Sequence, residues 1–93
     1  MTVLLDDLQY IEVPFAEVGQ VLMECDRNRP QAIIFRPQHW EEMVVKFGMM
    51  TVIAKFKAAG VAVYLADRDN AAYTAIDEEI RKKWPNVQVY RVI

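Results

Sequence analysis

The sequence predicts an α/β fold: a small, mostly parallel sheet of four to five strands in the order ββαβαβαβ, with three helices. Three observations predict it. The runs "AIIF" (32–35) and "VAVYLA" (61–66) are short, unbroken and apolar, as expected for strands covered on both faces. Segments of helical periodicity lie before, between and after them. The closing stretch "VQVYRVI" (87–93) alternates as a strand. Strands separated by helices imply parallel pairing through right-handed crossovers.

The elements follow in order. "TVLL" (2–5) and "LQYIEV" (8–13) read as two strands turned back on each other across Asp6-Asp7, an antiparallel member at one edge. Pro14 suits a first helical position, where a missing N–H costs nothing. Behind it Phe15, Val18, Leu22 and Cys25 share one helical face. "DRNRPQ" (26–31) ends that helix with turn formers and leads into "AIIF". Gly60 leads into "VAVYLA"; the two runs, as the most apolar strands, are expected at the centre of the sheet. In "DRDN" (67–70), Asp69 or Asn70 can cap a helix over 71–84, on which Tyr73, Ile76, Ile80 and Trp84 keep helical spacing. Asp77, Glu78 and Glu79 each precede a base by four residues, the favoured order on an exposed face. Pro85-Asn86 stops the helix.

The ambiguous segment is "MVVKFGMMTVIAKF" (43–56). Thr51-Val52-Ile53 is β-branched and would suit a hairpin into 61–66. The lysines of "AKFKAAG", with glycine after them, signal a helix end more strongly, and Pro37, Glu41 and Glu42 suit the opposite end. The reading is one helix over 38–59 with Gly48 as its weak point. On a wheel of about 100° per residue, Met43, Phe47, Met50 and Ala54 form one stripe, widened by Trp40, Val44 and Ala58. Val45, Met49, Val52 and Phe56 form a second, widened by Ile53. Lys46 and Lys57 divide the stripes on one side. A helix lying on a sheet needs one stripe, so the second is expected to meet another chain, the alternative being cover by other helices of the same domain.

Composition supports that expectation. Ninety-three residues make one domain, 1–93, yet 54% of them are hydrophobic. A small domain has proportionally more surface and ought to be less apolar than average. Self-association through Val45, Met49, Val52, Ile53 and Phe56 is the simplest explanation, and a two-fold contact the simplest geometry.

Several function classes are excluded or weakened. A net charge of −2 argues against a nucleic-acid binder that works by neutralising phosphates. One cysteine, Cys25, and one histidine, His39, cannot make a zinc site, and no metal or other cofactor is implied. Cys25 lies on the apolar stripe of the first helix, where a buried small hydrophobe is the ordinary role. The chain contains no serine, hence no seryl nucleophile, and its glycines form no phosphate-cradling loop. The first residues carry two acids and no basic run, unlike a signal peptide, and no apolar stretch reaches the length of a membrane span. A soluble cytoplasmic protein is expected.

One cluster could carry chemistry. Ligands of parallel α/β sheets bind beyond the carboxyl ends of the strands. Here those ends bring Arg36 and His39 after one strand, and Asp67, Arg68 and Asp69 after the other. His39 could serve as a base oriented by Asp67, with Arg36 and Arg68 holding an anion. Against this, Asp67 and Asp69 are ordinary turn and cap residues. The leading expectation is therefore a non-enzymatic homodimer in a regulatory or protein-interaction role. The alternative is a domain, binding or enzymatic, that takes a small anionic ligand in this mouth.

The order of elements resembles that of STAS domains of the anti-sigma-factor-antagonist type, and "KFKAAGVAVYLAD" is similar to their stretch of helix end, glycine and buried strand. The likeness covers about the C-terminal two-thirds of the chain and implies a fold arrangement only. Their phosphorylated serine motif is missing; "RPQHWEE" stands before the helix instead. No functional residue is carried over.

Overall fold

The computed structural model describes residues 2–5, 8–66 and 70–93. The elements are β1 (Thr2–Leu5), β2 (Leu8–Val13), a 3-10 turn (Phe15–Glu17), α1 (Val18–Glu24), β3 (Gln31–Phe35), α2 (Pro37–Phe47), α3 (Met49–Ala59), β4 (Val61–Leu65), α4 (Asn70–Lys83) and β5 (Gln88–Val92). They build one five-stranded sheet in the order β1-β2-β5-β3-β4. β2, β5, β3 and β4 are parallel, and β1 pairs antiparallel with β2, Leu5 opposite Leu8. The α/β class and the antiparallel edge strand match the sequence reading. Asp6 and Asp7, expected to turn that hairpin, lie outside the described residues.

The direction of each crossover decides which face its helix covers. The steps from β2 to β3 and from β3 to β4 move the same way across the sheet. Right-handed connections then place α1, α2 and α3 on one face. The step from β4 to β5 moves back past β3, so α4 covers the other face. Strand side chains alternate to match. Ile33, Phe35, Tyr90 and Val92 join Met43, Val52 and Phe56 under the three-helix face. Ala32, Ile34 and Val89 pack with Tyr73 and Ile80 under α4.

Two expectations are corrected. "VAVYLA" is not central: β4 stands at the rim, and β5 takes the interior place between β2 and β3. The polar residues of β5 hid this, because their partners are far away in sequence. The Tyr90 hydroxyl donates to Gln31 Oε1 at 2.9 Å, and Arg91 Nη1 donates to the Tyr10 hydroxyl at 3.1 Å. With such partners, Tyr90 and Arg91 are buried at little cost.

The second correction concerns residues 38–59, which form two helices rather than one and bring the helix count to four among the described residues. Gly48 separates them with φ 88° and ψ 141°, a backbone conformation that side-chain-bearing residues rarely adopt. Its N–H still closes on Val44 O at 2.8 Å, while its carbonyl accepts the N–H of Val52 at 3.1 Å to start α3. The break resets the helical phase. α2 buries Met43 from the first stripe and half-buries Trp40, whereas α3 buries Val52 and Phe56 from the second, with Ala59. The break thus divides both stripes between core and surface. Gly60, in the left-handed region at φ 73°, ends α3 as the sequence suggested.

Smaller departures are local. Residues 15–17 form a 3-10 turn ahead of α1, with Pro14 just before it. On α4 the ion pair of Asp77 with Arg81 forms, but Asp77 is buried rather than exposed. Among the described residues no helix is long and apolar enough to cross a membrane.

Candidate functional site

Of the mouth predicted at the strand ends, only Arg36 and His39 fall within the described residues, and they turn apart. Arg36 leaves the end of β3 toward α4, its guanidinium 5.3 Å from the centre of the Tyr73 ring. His39, in the first turn of α2, stacks flat on Phe15 of the 3-10 turn, ring centres 4.6 Å apart. The two residues therefore engage different elements on opposite sides of the sheet. The Nδ1 atom of His39 is buried and has no hydrogen-bond partner among the described residues, so none of them orients it as a base. Asp67, Arg68 and Asp69 lie outside the described residues. Among the described residues no group of three potential metal-ligating side chains comes together.

The predicted interface set is divided by the break at Gly48. Val52 and Phe56 are 4% and 3% exposed and belong to the chain's own core. Phe56 meets both Phe35 and Trp40 ring to ring, at 5.6 and 6.1 Å. Val45, Met49 and Ile53 remain on the surface, at 81%, 47% and 49%. Phe47 and Met50, members of the first stripe, are exposed beside them.

Two further features escaped the sequence. The first is an apolar groove of about 310 Å³ between α1 and the α2–α3 pair. Phe15, Leu22, Met43 and Phe47 line it, with Lys46, Lys55 and Glu42 among its polar members. Its walls come from elements whose relative placement no local pattern records. The second is a polar cluster beneath α4. Arg91 is buried, its guanidinium 3.9 Å from the Tyr73 ring centre and 5.1 Å from that of Tyr10. Burial pushes the Tyr73 phenol above its ordinary pKa, against the opposing pull of Arg36 and Arg91. The alternation of "VQVYRVI" places Arg91 and Val89 on one face, which is the signal the sequence offers.

Cys25 packs as expected of a small hydrophobe, half-buried, with its thiol 3.5 Å from Leu22 O and 3.7 Å from Ala59 O. Nothing around it is arranged as a base–nucleophile pair among the described residues.

Compared with family models, with curated proteins and with solved structures, the chain finds no match. The likeness to STAS domains thus rests on element order and the stretch "KFKAAGVAVYLAD" alone. Fold and surfaces together define a small α/β domain whose sheet is closed by three helices on one face and by a single helix on the other.

Proposed function

We propose that this chain is a non-enzymatic interaction module, working as a homodimer in a regulatory or protein-binding role in the cytoplasm. One observation carries the reading: the large exposed apolar side chains concentrate around the α2–α3 break. Val45, Phe47, Met49, Met50 and Ile53 are all exposed there. Met49, Met50 and Ile53 share one side of α3, at the three- and four-residue spacing of helical neighbours. Single apolar residues on a surface are ordinary; a concentration on one helix pair marks a contact. Cys25, the one thiol, asks for no oxidising compartment.

Light scattering on the purified protein at tens of micromolar tests the reading. A mass of twice 10.8 kDa is expected. A clean monomer at that concentration counts against the homodimer.

A second reading, binding of a small anionic ligand, is favoured by the groove between α1 and α2–α3. Its volume, about 310 Å³, falls within the usual range for ligand sites, and Lys46 and Lys55 offer charge beside an apolar floor. Thermal-shift measurements with aliphatic carboxylates would support it only if Lys46→Ala and Lys55→Ala weaken the shift.

A further inference from the structure

β4 is a strand without a second neighbour. Among the described residues it pairs with β3 alone, in unbroken register from Val61 to Leu65. Edge strands are ordinarily blunted by charged residues, proline or bulges, because their open backbone groups recruit another strand. β4 reads VAVYL and has none of these.

The direction of its open groups is determined by one bond. The N–H of Ala66 donates to Phe35 O at 2.9 Å, so Ala66 points its backbone toward β3. Backbone polar groups alternate sides along a strand, so Ala62 and Tyr64 point the same way. Val61, Val63 and Leu65 point theirs outward.

We infer that β4 pairs antiparallel with β4 of a second copy, across a two-fold axis at Val63, joining the two sheets into one. The inference rests on the homodimer reading above and names its contact. With the axis at Val63, Val61 faces the partner's Leu65, Val63 faces the partner's Val63, and every outward group of the strand meets another outward group. Each such pair exchanges both of its bonds. Moving the register by one residue sets outward groups against groups already bonded to β3.

The side chains fit the same register. On the α4 face, Ala62 opposes the partner's Tyr64, small against large. Beside Ala62 lies a depression of about 400 Å³ lined by Pro30, Gly60 and Trp84, open to receive that ring. On the other face, Val61 opposes the partner's Leu65, next to a depression of about 460 Å³ lined by Trp40, Ile53 and Val63. Leu65 is 45% exposed in the single chain. Knob and hole stand on the same strand and exchange places under the two-fold, which makes the patch self-complementary. Ile53 lines this depression, so α3 and the strand edge belong to one continuous surface.

Val63→Pro tests the contact. Proline there removes an N–H that faces away from β3, so the chain's own ladder is kept, while the ring stands where a second strand would lie. Light scattering is expected to give a dimer for the wild type and a folded monomer, checked by circular dichroism, for the variant. Should Val63→Pro unfold the chain, Leu65→Lys places a charge on the exposed rim and is read in the same way. Hydrogen exchange on the wild type needs no variant: the amides of Val61, Val63 and Leu65 are expected to be slow in concentrated solution and fast on dilution. If these amides are fast at every concentration, or the dimer survives Val63→Pro while Met49→Lys dissociates it, the β4 contact is overturned and the homodimer stands. A wild type that is monomeric throughout overturns both.

Discussion

The Arg91 guanidinium lies 3.9 Å from the centre of the Tyr73 ring and ties the interior strand β5 to α4. The same side chain reaches the Tyr10 hydroxyl on β2, so one cation spans two strands and a helix. Lysine at this position keeps the charge but loses the flat guanidinium that stacks on the ring. Arg91→Lys is expected to reduce the unfolding free energy by about 1–2 kcal/mol, read by urea denaturation at fixed protein concentration. A variant as stable as the wild type would show that the stack contributes nothing.

Gly48 and Gly60 both hold positive φ, but in different regions. Gly60 is left-handed helical at φ 73° and ψ 31°, where other residues are admitted at a cost of about 1 kcal/mol. Gly48, at φ 88° and ψ 141°, occupies a region almost reserved for glycine, with a cost of about 1–3 kcal/mol for alanine. Beyond the adjoining residues, nothing lies within 4 Å of a Cβ added at either position, so backbone strain sets the loss. Gly48→Ala is expected to be the more damaging in thermal melts. Equal losses would mean that the junction relaxes into one continuous helix.

The two parts of the second wheel stripe should behave oppositely. Phe56 is core, and Phe56→Ala should cost about 3–5 kcal/mol. Val52→Glu buries an unpaired charge and should leave little folded protein. Met49→Lys, on the surface, should leave the stability of the single chain within about 0.5 kcal/mol. Chemical denaturation of all three separates core from surface; a severe loss for Met49→Lys would place it in the core instead.

Two tyrosines make stability depend on alkaline pH. Burial raises the Tyr73 and Tyr90 phenols above 10.0, and for Tyr90 the neighbouring Cys25 charge adds to the rise. The folded chain then holds these protons more tightly than the unfolded one. Their contribution is complete below pH 10.0 and is lost as pH climbs from there through the folded values. Melting temperature should fall through that window, less steeply in Tyr73→Phe and Tyr90→Phe. Ultraviolet titration should show a late-ionising phenol that Tyr73→Phe removes and another that Tyr90→Phe removes. If neither variant loses a late phenol, the burial argument fails.

Much of the fold was legible because local patterns record it. The alternation in "VQVYRVI", the unbroken "AIIF", the stop of α4 before Pro85 and the weak point at Gly48 each reflect a period or a backbone requirement carried by neighbouring residues. The candidate surfaces were less legible. A wheel drawn through Gly48 assumed one helical phase, and the reset there exchanged core for surface in both stripes. Arg36 and His39 were adjacent in the mouth on paper, but the ring partners that hold them, Tyr73 and Phe15, lie on opposite sides of the sheet.

By itself the sequence determined the α/β class, the order of the strands along the chain and Gly48 as the weak point of the long helical segment. Only the tertiary structure decided that β5 is interior and β4 marginal, which stripe each helix buries, and where apolar surface stays open. The reason is range. Helical and strand periods act over a few residues, whereas Tyr90 is secured by Gln31 and Arg91 by Tyr10, partners 59 and 81 residues away. Those bonds let a polar strand enter the middle of the sheet and leave the apolar strand β4 at its rim.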